Sequence, residues 1–495
     1  MSVAGRQRCR PDANAYTARH RGHRESIRRM SLPPPTKSLF CVRALLPDGW
    51  ARDVRIEIAG GRFSKLQRNA SAQPGDERVE VALPGIANVH SHGFQRGMAG
   101  LTEYRGPDAD NFWSWRELMY RFVGRMTPED LEAITALAYV EMLENGFTRV
   151  GEFHYVHHDV NGKPYADPGE MAVRVASAAA TTGIGLTLLP VFYAHGNFGG
   201  APPTEGQKRF ITDTGTYARL LEASRHCVAA LPDAVVGVAP HSLRAVTPEE
   251  LRQVVSLGAA GPIHIHAAEQ VKEVEDCVAW SQARPVQWLL DHAGLDARWC
   301  LVHATHMTDS EITGLARSGA VAGFCPVTEA NLGDGISPAA PHLAAGGTFG
   351  IGTDSNVFIS VGEELRQLEY GQRLRDRARN VLAARSAHST GRTLFAQAQR
   401  GGARALGAGV SGAGGSAEPA GIVEGASADC FSLMSEVVSI ARRDDDVLLD
   451  SFIFAGGADR IDRVWRAGRK LVSQGAHFAR DDVGVRYAAA LERLI

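Results

Sequence analysis

In the run GIANVHSH, His90 and His92 are separated by one residue, so in an extended strand both imidazoles project from the same face. The run IHIHAAEQ repeats the arrangement with His264 and His266 and adds Glu269 three residues beyond. CLVHATH contributes His303, and GIGTDS contributes Asp354. Imidazoles and a carboxylate gathered in this way suit a divalent cation held by nitrogen and oxygen, with a position left open for water, as a catalytic rather than a structural zinc site requires. A single His-x-His pair says little, because histidines are common in loops. Strand caps or core hydrogen bonds do not explain such groups recurring at four separate run ends.

These runs belong to a larger alternation. Between Pro84 and about Leu406 eight short apolar stretches recur, each followed by a loop and a helical pattern: GIANVHSH, RVGEFHYVHH, GLTLLPVFY, AVVGVAPHS, IHIHAAEQ, CLVHATH, VAGFCPVTE and TFGIGTDS. The pattern predicts an α/β fold built on a (β/α)8 TIM-like barrel over residues 85–406, with a doubly wound sheet as the competing architecture. In a barrel the reactive groups gather at the C-terminal strand ends, where the His, Asp and Glu residues stand. One intervening helix is marked by TPEDLEAITALAYVEMLENG, with Thr127 as N-cap, Pro128 in the first turn and Gly146 as the stop.

Residues 36–84 and 428–478 share a different texture. β-branched and polar residues alternate between Gly, Pro and Asp turns in SLFCVRALLPDG, DVRIEIAGGRFSKLQ, VEVAL, ADCFSLMS, DSFIFAG and RIDRVWRAGRKLVS. We read them as strands of a small β-sandwich domain built from both chain ends around the barrel. The Gly/Ala/Ser-rich stretch 407–427 reads as a link, residues 479–495 as a C-terminal helix, and residues 1–35 as a disordered basic tail. Eight Arg and two acids fall in the first thirty residues. A solvated tail ahead of a start at Met30, an organellar transit peptide and a nucleic-acid arm all fit that composition.

Composition narrows the function classes. With 44% hydrophobic and 22% charged residues the chain is an ordinary globular protein, and 53 basic against 55 acidic residues argue against nucleic acid or an anionic membrane as main partner. Seven scattered cysteines without a CxxC pair disfavour a disulfide framework and a zinc knot. We read no membrane span and no secretory signal, and expect a cytoplasmic enzyme.

The motifs PGIANVHSHGFQRG, HIHAAEQ, LVHATH and GIGTDS resemble the amidohydrolase superfamily over roughly residues 38–475. Within it, SHGFQRGMAG, FWSWRELMY, EFHYVHHD, PHSLRAV, FCPVTEANLGDG and GTDSNVFIS are similar to the deiminases that act on N-formimidoyl-L-glutamate in histidine degradation. The resemblance implies one Zn2+ per chain on His90, His92, His266 and Asp354, with Glu269 and His303 beside the activated water and His264 structural. Some relatives bridge two metals with a carboxylated Lys at the fourth strand end. VVGVAPHSLRAV has no Lys, so a mononuclear site is expected.

On this reading Asp354 accepts the proton of water, His303 orients the attacking oxygen, and a protonated Glu269 donates to the nitrogen of a planar C=N group. The resemblance further implies that Arg116 and Arg244, on loops after the first and fourth strands, clamp a dicarboxylate, with Gln95, Tyr155 and His241 as polar contacts. It also implies a homodimer. A deaminase of a purine or S-adenosyl-linked ring, stacked on Phe112, Trp113, Trp115, Tyr120 or Tyr155, is the rival enzyme. A non-enzymatic barrel is disfavoured because every ligand and proton carrier is present.

Overall fold

The computed structural model describes residues 31–106, 110–407, 420–434, 442–456 and 460–495. The basic segment of residues 1–30 and most of the Gly-rich stretch lie outside the described residues. The described residues form two sheets.

The first is the barrel. Its strands are β5 (Ile86–Ser91), β6 (Phe147–His154), β7 (Gly185–Phe192), β8 (Val235–Val236), β9 (Ala239–Pro240), β10 (Ile263–Ala267), β11 (Trp299–His303), β12 (Val321–Phe324) and β13 (Thr348–Ile351). Parallel pairing runs β10-β11-β12-β13-β5-β6-β7-β8, with β9 also on β7. Parallel bridges Val238↔Ile263 and Ser242↔His266 close the circle. The fourth barrel strand is thus split into two short pieces around Gly237, where a Cβ would stand 2.5 Å from the Pro262 carbonyl oxygen. β6 and β7 are buried along their whole length, which is why these strands read as continuous apolar runs rather than alternating ones.

The helix Pro128–Glu144 begins as expected, with Thr127 and Asp130 forming a reciprocal capping box, and its C-cap is Asn145. The helix Thr390–Ala405 plugs the barrel floor. Its end reaches β10, where His264 Nε2 donates to the Ala405 carbonyl at 2.7 Å. Gly401 makes that seat: a Cβ there would lie 1.8 Å from the Phe349 carbonyl oxygen of β13, so any side chain would push the plug out.

The second sheet comprises β1 (Ser38–Leu46), β2 (Gly49–Ala59), β3 (Arg62–Gln67), β4 (Glu77–Pro84), β14 (Cys430–Leu433), β15 (Ile461–Arg466), β16 (Arg469–Ser473) and β17 (Ala476–His477). Its order is β17-β16-β15-β14-β4-β1-β2-β3. The sheet curls back on itself, with Gly61 of the β2–β3 turn against Ala467 of the β15–β16 turn. Leu39, Val54, Ile56, Phe63, Val79 and Trp465 fill the inside. The expected sandwich is therefore one curled sheet.

One segment differs from the sequence reading. DSFIFAG is not a strand but the end of a helix, Asp445–Ala455. Asp445 and Asp446 stand in its first turn, and Leu448, Leu449, Phe452 and Ile453 are buried. That spacing is a helical stripe preceded by helix-favouring acids, which the short apolar run alone conceals. Among the described residues no helix is long and apolar enough to cross a membrane.

Candidate active site

The C-terminal ends of β5, β10 and β13 bring four side chains to one point. His90 Nε2 lies 3.2 Å from His92 Nε2 and 3.1 Å from His266 Nε2. Asp354 Oδ1 stands 3.4 Å from His90 Nε2 and 3.3 Å from His92 Nε2. The four ligand atoms all lie within 4.8 Å of one another. Neighbouring ligands of one ion, bound at about 2.1 Å, have separations of this size.

The protons on the imidazoles are set from behind. His92 Nδ1 faces the Phe153 carbonyl at 2.9 Å and His266 Nδ1 faces the His241 carbonyl at 3.0 Å. Each Nδ1 is therefore the donor, and the Nε2 lone pair points inward. Burial pushes His90 down to about 3 and holds His92 and His266 below the usual imidazole range, the last helped by the neighbouring rings. Burial would raise Asp354, but the hydrogen bond it accepts from His90 and the positive charge of His303 hold it below the usual carboxylate range. Neutral imidazoles and an ionised carboxylate aimed at a common point repel unless a cation lies between them. The donor set therefore fits a divalent metal ion.

His303, Glu269 and Asp354 line one side. His303 Nε2 is 3.8 Å from Glu269 Oε1 and 3.8 Å from Asp354 Oδ2, and its Nδ1 is 3.5 Å from Glu329 Oε1. Burial disfavours the His303 charge, but the three carboxylates outweigh it and push the ring up to about 10. Burial pushes Glu269 up to about 7, against the pull of His303 and Arg244. The strand ends carry strain: φ is +53° at Ala268, +67° at His303, +48° at Ala304 and +43° at Asp354. Left-handed non-glycine residues cost of order 1–3 kcal/mol each and persist where the surroundings over-determine them. Here the Asp354 amide donates to His90 O at 3.0 Å, and the His92 amide donates to Asp354 O at 2.9 Å.

The five residues expected to contact substrate flank this point. Gln95 Nε2 donates to the Tyr155 hydroxyl at 2.9 Å, while Gln95 Oε1 is buried without a hydrogen-bond partner among the described residues. The His241 ring lies 4.8 Å from His266 and 4.5 Å from Tyr193. Arg116 is not on a loop: it belongs to the helix Phe112–Val123, whose N-cap is Asn111. Its guanidinium covers the Trp113 ring at 4.5 Å and the Tyr120 ring at 5.5 Å, and its buried Nε has no hydrogen-bond partner among the described residues. Arg244, in the turn after β9, has Nη1 3.2 Å from Glu273 Oε2. Both guanidiniums bear on the same two groups, Tyr193 and His241. The Trp113 face that a stacked ring would need carries the Arg116 cation instead.

Several supporting residues were given no role by the sequence reading, although Glu152, Cys325, Glu329 and Asn356 lie within its motifs. Glu329 and Glu273 back His303 and Arg244. Glu152 accepts from the Gly93 amide at 2.6 Å and from the Tyr139 hydroxyl at 3.1 Å, fixing the backbone beside His92. Asn356 Nδ2 donates to the His92 and Asp354 carbonyls at 3.0 and 3.1 Å. Cys325, His303 and Asp354 form a second group whose ligand atoms lie within 4.8 Å. A separate cleft of about 500 Å³, bordered by His158, His195, Lys208, Asp213 and Glu250, contains none of the candidate residues.

Comparison with known proteins agrees with this geometry. Residues 81–409 match the amidohydrolase family, and residues 36–80 match the N-terminal domain of formimidoylglutamate deiminase HutF. The formimidoylglutamate deiminase of Pseudomonas aeruginosa is 49% identical over 92% of this chain and 99% of its own. An 8-oxoguanine deaminase of the same organism is 29% identical over 89% of this chain and 93% of its own. The crystal structure of an amidohydrolase from Brucella melitensis superposes with a TM-score of 0.88 at 56% identity, covering 92% of this chain and 99% of that one. An adenosine deaminase from Xanthomonas campestris with bound zinc shares the fold, with a TM-score of 0.76 at 21% identity over 94% of this chain and 99% of its own. The chain belongs to the amidohydrolase family and, within it, to the formimidoylglutamate deiminases.

Proposed function

We propose that the protein hydrolyses N-formimidoyl-L-glutamate to N-formyl-L-glutamate and ammonia with one zinc ion per chain. The observation that carries the substrate is a pair of guanidiniums: Arg116 over the Trp113 and Tyr120 rings, and Arg244 on Glu273, whose carboxylate also accepts from the Glu269 amide beside the His/Asp cluster. Two guanidinium forks suit two carboxylates. The 49% identity to a formimidoylglutamate deiminase over almost its whole length supports the same substrate.

His90, His92, His266 and Asp354 would hold the metal. When bound, such an ion supplies Lewis acidity and brings the pKa of water close to 7. The remaining chemistry is proton traffic. Hydrolysis adds the oxygen of water to the formimidoyl carbon, and both protons of that water end on the departing nitrogen. Asp354, ionised among the imidazoles, accepts the first. Glu269, kept protonable near neutrality by burial, donates to the imino nitrogen as its double bond opens. His303, cationic between carboxylates, steadies the charge that develops on oxygen. The second proton then moves to nitrogen as the C=O bond forms and ammonia leaves, and the proton held by Asp354 returns to Glu269, so that both protons of the water are accounted for. Arg116 and Arg244 bind the carboxylates, and Gln95, Tyr155 and His241 hold the rest of the amino-acid skeleton.

The test is ammonia release by metal-analysed protein from formimidoylglutamate, guanine and an S-adenosyl compound in parallel. Release from formimidoylglutamate alone, at about one zinc per chain, is expected. Release only from a ring substrate would overturn the reading of the two arginines. Sedimentation of the same sample checks the homodimer that the resemblance implies.

A further inference from the structure

No motif marks residues 204–212, yet this segment touches the helix that carries Arg116, the loop after Tyr155, and Tyr193. Arg209 is only 1% exposed. Its Nη1 donates to the Val123 carbonyl and, at 2.8 Å, to the Met126 carbonyl, and its Nε donates to the His158 carbonyl at 2.9 Å. Val123 ends the helix that carries Arg116, so a buried cation sits at the negative end of that helix's dipole. The Arg209 carbonyl accepts in return from the His157 and His158 amides at 2.9 and 3.0 Å, just beyond Tyr155.

Its neighbours reach the other contacts. Gln207 Nε2 donates to the Tyr193 hydroxyl at 2.8 Å. The Phe210 ring stands edge-on to Tyr155 at 4.9 Å and lies 6.0 Å from Tyr120 and 5.9 Å from Tyr193. Gly206 lies flat against Tyr120: a Cβ there would be 2.4 Å from the ring. Tyr120 is one of the two rings beneath the Arg116 guanidinium.

We infer that Arg209, with Gly206 and Gln207, is a positioning device for substrate recognition: it fixes the Arg116 helix and the Tyr155 loop relative to each other, and the preference for a dicarboxylate depends on it. The inference rests on the dicarboxylate reading above. Arg209 touches none of the four candidate metal ligands through the bonds described, so its effect falls on binding rather than on the bond-breaking step.

The experiment measures kcat and KM of Arg209→Lys, Arg209→Met and Gly206→Ala for N-formimidoyl-L-glutamate and for N-formimidoylglycine, which has one carboxylate. The expected result is a KM for the dicarboxylate raised tenfold or more, kcat changed less than threefold, unchanged metal content, and a dicarboxylate preference in kcat/KM reduced at least tenfold. Arg209→Lys, a point charge that cannot span three carbonyls, should fall between wild type and Met. Should Arg209→Met fail to fold, Gly206→Ala must still show the KM-selective loss. Folded variants that keep the wild-type preference, or that lose kcat alone, overturn the inference. A wild-type enzyme with no preference for the dicarboxylate overturns the substrate reading itself.

Discussion

The ring of His303 and the carboxyl of Glu269 stand 3.8 Å apart, Nε2 to Oε1, beyond hydrogen-bond distance but close enough for each to influence the other's charge. Burial favours a neutral Glu269, and Glu329 and Asp354 still favour a cationic His303 when Glu269 carries its proton. The pair thus holds an acid and a fixed positive charge side by side, the division that amidine hydrolysis needs.

Glu269→Gln preserves shape and removes the proton carrier. Metal content should remain at the wild-type level while kcat falls by about 10²–10⁴-fold, the usual worth of a positioned acid or base. Metal analysis and steady-state turnover on the same sample check it. Wild-type kcat would move the proton to another residue.

His92→Ala and Asp354→Ala should lose metal and activity together, since each removes one of four converging ligands. Chelation of the wild-type protein should lower Tm, because the Nε2 atoms of His92 and His266, at 3.2 and 3.1 Å from His90 Nε2, are left crowded together without a cation. Adding zinc back at 1,000 times its Kd should restore about 4 kcal/mol. An unchanged Tm after complete metal removal would count against the four-ligand site.

Much of this was legible in the sequence because strand geometry is periodic. One residue between His90 and His92 is enough to put both rings on one face, and a strand end is recognisable wherever an apolar run stops at a polar residue. The supporting residues were not legible. Glu152 meets Gly93 from 59 residues away, Asn356 reaches back 264 residues to His92, and Arg209 binds backbone carbonyls, which carry no residue identity. The helix Asp445–Ala455 was misread for a local reason: its last six residues hold an apolar run, while the acids and leucines that complete the helical stripe precede it.

The two arginines should respond differently to the same substitution. Arg116 stacks on Trp113 and Tyr120, so Arg116→Met should raise KM about tenfold or more with little change in Tm. Arg244 is paired with Glu273, which is fully buried and also accepts from the Glu269 amide at 3.0 Å. Arg244→Met should therefore raise KM and destabilise by about 3 kcal/mol, because a buried carboxylate loses its cation. Adding Glu273→Gln should recover stability but not KM. Denaturation and kinetics of the three variants check the split, and equal stability of Arg116→Met and Arg244→Met would remove it.

Glu152 yields a prediction about pH. Burial pushes its carboxyl from 4.5 up to about 7, against hydrogen bonds from the Gly93 amide and the side chains of Ser91 and Tyr139. Its folded pKa is raised, so the native state binds the proton more tightly than the unfolded chain. The resulting stability is fully present below about pH 4.5 and is lost as pH rises through about 7. A shift of this size corresponds to about 3 kcal/mol. Glu152→Gln cannot ionise and should lack this component, so the difference between wild type and variant should change by up to that amount between pH 4.5 and 8. Urea unfolding at fixed metal loading across this range measures it. A pH-independent difference would show that Glu152 is ionised throughout, held by the donors around it.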